Sequence, residues 1–446
     1  MKKPWEHGRL AVSENKRYLV NGDKPFFWLG DTAWLLFENL TVEESRRYLI
    51  NRRDKGFNVI QATLVHTMPK DDVNEPYVTG VQRALTDGNF ARPNLDGGFW
   101  QNVDAMVEIA AELGMYMALL PSWGSMVKTG RLNEGNVEGY GRFLAERYGK
   151  YENIIWLLGG DVRGSDGYDV FMKLADTIKG ICPDKLMGFH PFGRTASSLW
   201  FDEAYWLDFG MFQSGHRRYD QVELGAWDDN SASEGVFGED NWRYVRRDYS
   251  SPNKRPTLDG EPSYEQIPQG LHDPSEPYWQ DHDARRYAWW SVLEGACGHT
   301  FGHNAIMQFC NPESGKRSYG ATSYWFDAMH DPGAGQMGHM ANFMRGLDYT
   351  NGKSADGLIA GGQKKQYERV SAFAGDDFIV FYSYTGGEFA VDISGKNWKS
   401  ADAWWFDPAQ GVYSYVGSFA AGQQSFIPPK KLRDWNDWVL LLKAGE

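Results

Sequence analysis

Two carboxylates facing each other across a cleft, one protonated and one ionised, are the minimum machinery for breaking a glycosidic bond: one protonates the leaving oxygen, the other attacks the anomeric carbon or activates water. The sequence supplies acids where apolar runs stop. Phe26-Phe-Trp-Leu-Gly30 leads into Asp31, Ile154-Ile-Trp-Leu-Leu-Gly-Gly160 leads into Asp161, and Pro256-Thr-Leu is followed by Asp259, Gly260, Glu261 and Pro262. Asp161 reads as a catalytic acid, against the plainer reading of a helix N-cap for the segment behind it. Asp259 and Glu261 share parity on one strand, so both are expected to face inward with Leu258 and Gly260 turned outward. Glu261 would lie at the rim and Asp259 one layer deeper, placed to hold a neighbour. Pro262 cannot continue a ladder and leaves the Glu261 carboxylate at the mouth. Asp31 is expected to accept substrate hydroxyls at the floor, the alternative being a salt bridge to an arginine or a cap.

Other side chains converge on the same ends. His66, His190, His216, His299 and His303 follow or flank apolar runs, as does Gln213; Trp34, Trp123 and Phe212 are placed either to stack on a sugar face or to anchor loops. The histidines could bind a metal, but no His-x-His pair opens the first run, so contacts to sugar hydroxyls or structural hydrogen bonds are expected, with no metal and no cofactor. Gly-x-Ser-x-Gly, Walker and His-Glu-x-x-His patterns are absent, which leaves acyl transfer, nucleotide hydrolysis and zincin chemistry without support.

These residues need a scaffold that brings strand ends together. From Pro25 to about His303 short apolar runs alternate with amphipathic helical patterns, the signature of repeated βα units. Eight strands are expected, at 26–30, 58–64, 116–121, 154–160, 186–190, 209–213, 256–260 and 299–302. The first helix starts at the capping box Thr41-Val-Glu-Glu44 and stops at Gly56. A (β/α)8 TIM barrel follows, with its active site at the carboxyl ends of the strands. The rival doubly wound sheet needs a G-x-G-x-x-G turn, and none is present. Residues 10–12 and 17–20 read as a hairpin closing the barrel's bottom, and Met337, Met340, Met344 and Leu347 as a packing stripe. From about Thr350 alternating strands and turns (367–372, 378–384, 389–393, 403–406, 438–442) predict a small C-terminal β-sandwich. The expected division is a catalytic barrel over 1–349 and a β-domain over 350–446.

The balance of 46 Lys and Arg against 59 Asp and Glu gives a net charge of −13, which disfavours nucleic acid and anionic lipid as partners. Three scattered cysteines form no disulfide framework or zinc pair and read as core thiols. No apolar run is long enough to span a membrane, and Met1-Lys-Lys-Pro-Trp-Glu-His7 has no signal-peptide core. A cytoplasmic location is expected for the chain as it stands, with secretion or a periplasmic location the alternative if a leader has been removed. The 19 Trp, 25 Phe and 23 Tyr suit a sugar-binding enzyme and would equally serve a packed barrel with a β-domain.

Four motifs in order, Pro25 to Trp34, Trp156-Leu-Leu-Gly-Gly-Asp161, Asp259-Gly-Glu-Pro262, and Arg285 to Trp290 continuing through Gly295 to Asn304, resemble the apiosidase-like glycoside hydrolases over roughly residues 8–347. The tail, with Ala403-Trp-Trp-Phe-Asp-Pro408 and Trp438-Val-Leu-Leu441, is similar to the β-domain that accompanies this barrel and is named for collagen binding. The resemblance implies a retaining mechanism, with Asp161 matching the family's acid/base and Glu261 its nucleophile. It implies hydrolysis of β-linked apiose from the pectic polysaccharide rhamnogalacturonan II or from plant apiosides, so the expected partner is a plant oligosaccharide or glycoside. Another furanosidase or pentosidase on this scaffold, or a non-catalytic carbohydrate-binding protein, is the alternative.

Overall fold

The computed structural model describes residues 2–66, 83–221, 237–312, 317–432 and 435–445. An antiparallel sheet of β1 (Leu10–Val12), β2 (Leu19–Asn21) and β3 (Lys24–Phe26) precedes the barrel, one strand more than the expected hairpin. The barrel strands are β4 (Trp28–Thr32), β5 (Val59–Val65), β6 (Tyr116–Ser122), β7 (Ile154–Val162), β8 (Met187–Pro191), β10 (Gly210–Gln213), β11 (Thr257–Asp259) and β12 (Gly298–Phe301). Parallel ladders run β8-β7-β6-β5-β4-β12-β11-β10, and β8 lies beside β10 to close the cylinder. A two-residue strand, β9 (Thr195–Ala196), pairs antiparallel to β10. This is the expected (β/α)8 barrel.

The helices are α1 (Val42–Asp54), α2 (Phe99–Glu112), α3 (Val137–Tyr148), α4 (Tyr168–Ile181), α5 (Trp242–Ser250), α6 (Asp281–Leu293) and α7 (Pro332–Arg345). Local chemistry sets where they begin. At α1 the Thr41 hydroxyl accepts from the Glu44 N–H at 3.2 Å while the Glu44 carboxylate accepts from the Thr41 N–H at 2.8 Å, satisfying two otherwise orphaned donors. Every residue of β4, β5 and β6 is buried, because helices cover one face of each strand and the barrel interior the other. The three cysteines are buried core thiols.

After the barrel come β13 (Lys353–Ser354), β14 (Val370–Ala374), β15 (Phe378–Ser383), β16 (Phe389–Asp392), β17 (Ser400–Asp407), β18 (Val412–Ala420), β19 (Gln423–Phe426) and β20 (Trp438–Ala444). They form a sheet of order β13-β14-β15-β20-β17-β18 with the pair β16-β19 packed over it. Alternation divides the large sheet's side chains between two cores. Ile379, Phe381, Leu440, Leu442 and Trp405 pack with Phe389, Val391 and Phe426 inside the sandwich; Val380, Tyr382, Val439, Leu441 and Phe406 join the barrel's core, where Trp289 of α6 and Phe343 of α7 meet Phe406. The Arg285 guanidinium, fully buried on α6, makes a bidentate pair with Asp437 at 2.8 and 2.9 Å.

Candidate active site

Asp161 reaches the cleft through a break in β7. The ladder to β8 shifts register between Gly159 and Val162, and Gly159, Gly160 and Asp161 all have positive φ, at 89°, 103° and 49°. Only glycine fits the first two positions: a Cβ on Gly159 would lie 2.2 Å from the His190 carbonyl oxygen, and one on Gly160 would lie 2.8 Å from the Trp123 ring. Asp161 tolerates the left-handed region better than a bulkier side chain would. The bulge turns its carboxylate into the cleft. It is not the cap of the following helices, whose N-cap positions are Arg163 and Gly167.

Glu261 faces Asp161. Its Oε1 lies 3.0 Å from His216 Nε2 and its Oε2 3.1 Å from His190 Nε2. His216 Nδ1 accepts from the Tyr264 N–H at 3.4 Å, which assigns the ring proton to Nε2 and makes His216 a donor to Glu261. Oxygen atoms of Asp161 and Glu261 and a ring nitrogen of His190 all lie within 4.8 Å of one another. Burial raises both acids, but the sum differs. Asp161 is pushed up to about 7 by desolvation and then by the Glu261 charge, against opposing help from His190, a Gln213 hydrogen bond and His216. At Glu261 the hydrogen bonds and charges of His190 and His216 outweigh burial and bring the carboxyl down to about 2. Around neutral pH Asp161 is therefore poised between its protonated and ionised forms while Glu261 is ionised.

The cleft has two adjoining parts. One, of about 260 Å³, is lined by Trp34, His66, Trp123, Tyr264 and Gln308 together with both acids. The other, of about 210 Å³, is lined by Arg194, Gln213, Arg217 and His272, sharing Asp161, His216, Leu271 and Tyr319 with the first. The Trp34 indole N–H donates to the Tyr264 hydroxyl at 3.0 Å, and Trp123 stacks on His66 with ring centroids 4.7 Å apart. Burial holds His66 down at about 4, so its ring is neutral. Two further hollows, lined in part by Ile154 and Leu186 and by Phe26 and Asn58, open at the amino ends of the strands and hold none of this chemistry.

A barrel with paired acids at the carboxyl ends of its strands has relatives. Residues 13–351 match the family model "Apiosidase-like, catalytic domain". The chain belongs to the apiosidase-like glycoside hydrolases. Residues 355–443 match "Putative collagen-binding domain of a collagenase". A solved structure titled "Glycoside hydrolase" is 41% identical, with 100% of this chain and 98% of that one covered at a TM-score of 0.91. A glycoside hydrolase family 5 structure from Bacteroides vulgatus ATCC 8482 is 38% identical, with coverage of 99% and 95% and a TM-score of 0.90. No curated protein matches the chain.

Within this family member several expected contacts fall elsewhere. Asp31 is not at the floor of the cleft. Trp28 and Gly30 occupy the barrel interior beside Thr300, so Asp31 turns outward to α1, where the Arg52 guanidinium donates to it at 2.5 Å and the Tyr48 hydroxyl at 2.6 Å, all three buried. His299, in register with Leu29 and Asp259, likewise points to the helices, where Ser291 of α6 is 3.5 Å away; burial holds it neutral, at about 3. His303 pairs with Asp331 at 2.8 Å, and Phe212 stacks on Tyr244 of α5. Asp259, expected to face inward, faces outward beside Phe212 and accepts from the Ser214 hydroxyl and the Asn241 amide at 2.6 and 3.0 Å. Glu261 escapes that alternation because β11 ends at Asp259 and the chain bends over the cleft.

Asp161, Glu261, Trp34, His66, Trp123 and Gln213 do come together, and His190 joins them from beneath, fully buried against Glu261. His216, expected among the histidines beyond the strand ends, is the one that lines the cleft while holding Glu261; the expected contact set lacked Tyr264, Arg194, Gln308 and Tyr319, which lie on loops without a periodic pattern. Asp161, His190 and Glu261 are also the one group among the described residues close enough to share a metal ion.

Proposed function

We propose that this enzyme is a retaining glycosidase with Glu261 as nucleophile and Asp161 as acid/base. The observation that carries the reading is the pair itself: carboxylate oxygens within 4.8 Å of each other, one group raised and the other lowered. Retaining enzymes hold their carboxyl groups about 5–5.5 Å apart, and inverting ones leave room for water at about 6.5–9.5 Å. In the first step Glu261 Oε attacks the anomeric carbon as Asp161 passes its proton to the departing oxygen. In the second, the Asp161 carboxylate takes a proton from water, whose oxygen displaces Glu261 and restores both groups. His190 and His216 keep Glu261 ionised and aimed; Trp34 and Trp123 offer ring faces to the sugar.

The substrate we infer is a β-apioside, in rhamnogalacturonan II or a smaller plant glycoside. Family membership supports it, and so does a compact pocket of about 260 Å³, suited to one branched furanose rather than a long chain. A buried polar pocket rejects sugars lacking a matching hydroxyl, so arabinofuranosides and xylosides should be at least about a hundredfold slower, a gap of roughly 2.7 kcal/mol. The test compares sugar released from apiosylated and arabinosylated substrates and follows the anomeric configuration of the first-formed product by NMR, with a chelator added throughout. Retained configuration and apiose release support the reading. Inverted product sinks the nucleophile assignment, arabinose preference sinks the substrate, and loss of activity with chelator assigns the Asp161, His190 and Glu261 group to a metal.

A further inference from the structure

We propose that Tyr367 of the C-terminal β-domain is a positioning residue for the nucleophile, which makes that domain part of the catalytic unit. The inference rests on the reading of Glu261 above. His216, which donates to Glu261, sits on a strap, residues 214–221, that leaves β10 and crosses the cleft wall. The strap is pinned along its length: Ser214 by Asp259, the Gly215 N–H by the Glu261 carbonyl at 3.2 Å, and the His216 carbonyl by the Trp279 indole at 3.0 Å and the Gly270 N–H at 2.6 Å. Its far end is held by several groups: Arg218 pairs with Asp220 and Glu276, the Tyr219 hydroxyl donates to Asp240, the Gln221 amide donates to the Gln269 carbonyl, and Glu239 is the one of these acceptors that is fully buried. Glu239 Oε1 accepts from the Tyr219 N–H at 2.7 Å.

The same oxygen accepts from the Tyr367 hydroxyl at 2.8 Å, while Glu239 Oε2 takes the Arg286 guanidinium of α6 at 2.6 Å. The Tyr367 ring also meets the Tyr219 ring edge-on, with centroids 5.2 Å apart. Arg286 is caged by rings from both domains: Tyr287 and Trp290 of the barrel at 4.4 and 4.9 Å, Tyr367 and Tyr384 of the β-domain at 5.0 and 5.2 Å. Arg286 and Glu239 are both fully buried, so neither can exchange a lost partner for water. Three parts of the chain far apart in sequence therefore meet at Glu239, and the β-domain supplies one of its three donors. Removing that donor leaves the carboxylate free to shift toward Arg286 and to loosen its hold on the strap that carries His216.

The experiment compares Tyr367→Phe with Tyr382→Phe in the full chain. Tyr382 lies in the same interface but away from Glu239, its hydroxyl donating to Asp437 at 3.1 Å and its ring stacked on Trp289. Both variants should lower the melting temperature. Only Tyr367→Phe should also lower kcat on a small aryl glycoside, by about three- to tenfold, as expected for slight misplacement of a catalytic group, with KM within about twofold. Its kcat/KM should fall off at a higher pH on the acidic side, because a less well held His216 keeps Glu261 ionised less effectively. His216→Asn should move that acidic limb the same way and further. Equal kinetics in the two tyrosine variants, with only stability lost, would overturn the proposal. If His216→Asn itself leaves the acidic limb in place, the failure lies with the Glu261 reading instead.

Discussion

The mutual influence of the two carboxyls can be measured without any turnover. Glu261→Gln removes the charge that, after burial, contributes most to raising Asp161. With oxygens within 4.8 Å, the repulsion between two full charges at an effective dielectric of about 20 is roughly 3.5 kcal/mol, or about 2.5 pH units. This is an upper figure, because Asp161 opens to solvent in the cleft and water screens part of the repulsion. Asp161 should therefore titrate about 1–2.5 units below its value of about 7 in the parent enzyme, and still above an ordinary aspartate because desolvation persists. Carbon-13 labelling of the aspartate carboxyls and NMR titration of Glu261→Gln against the parent, with Asp161→Asn to assign the resonance, reads this directly. An Asp161 titration that stays put or moves upward would refute the electrostatic pairing, and with it the division of labour between the two acids. The same drop is what the second step of the proposed retaining mechanism would require, since an esterified Glu261 would be as neutral as glutamine and Asp161 would then have to act as a base.

Asp31→Asn should leave the Arg52 charge buried without a carboxylate, costing about 3–5 kcal/mol and several degrees of melting temperature at about 2–4 °C per kcal/mol. Its kcat and KM at 25 °C should be close to the parent's, and a raised KM at unchanged stability would return Asp31 to the substrate. Asp161 is raised in the folded state, so its contribution to stability is present below the ordinary aspartate range and is lost as pH climbs through about 7; Asp161→Asn should accordingly melt higher than the parent at pH 8 and not at pH 4, as calorimetry would show. Gly160→Ala, which forces a Cβ to 2.8 Å from Trp123 at φ 103°, should misaim Asp161 and slow substrates with poor leaving groups far more than activated aryl glycosides, for which acid assistance matters little. The β-domain turns Tyr367, Tyr382, Tyr384 and Asp437 to the barrel interface, so the full chain should show no binding to triple-helical collagen by surface plasmon resonance; measurable affinity would contradict a role confined to the barrel.

The barrel was legible because eight buried apolar runs alternate with amphipathic helices, and the two catalytic candidates because each acid breaks an apolar run ahead of a turn. What could not be read was which face each strand end presents. In a parallel strand buried on both sides, residues of both parities are apolar, so alternation carries no sign of inside and outside. Asp31 and His299 are expected at the cleft and Asp259 in the barrel interior beneath it, and all three belong to the helix layer. Strands β18 and β19 escaped for the opposite reason: Val412 to Val416 is exposed along an edge, and Gln423-Gln-Ser carries no apolar alternation. The Glu239 junction was invisible because its partners lie 47 and 128 positions away along the chain.

A regular strand end gives an acid only two fates, packing against the helix layer or pointing into a barrel interior already filled by side chains such as Trp28 and Thr300. Asp31 and Asp259 take the first and become struts, one fixing α1 and the other the base of the strap. An acid that must touch substrate has to leave that alternation. Asp161 does so through a bulge that only Gly159 and Gly160 permit, and Glu261 through the early end of β11 and the bend before Pro262. Both departures carry a cost: positive φ at three successive residues in the first case, and in the second a fully enclosed carboxylate that stays ionised only because two histidines face it. Asp161 thus carries the backbone strain and Glu261 the enclosed charge, while Asp31 and Asp259, left in register, hold their neighbours by hydrogen bonds, with Asp259 itself pushed up to about 7 by burial.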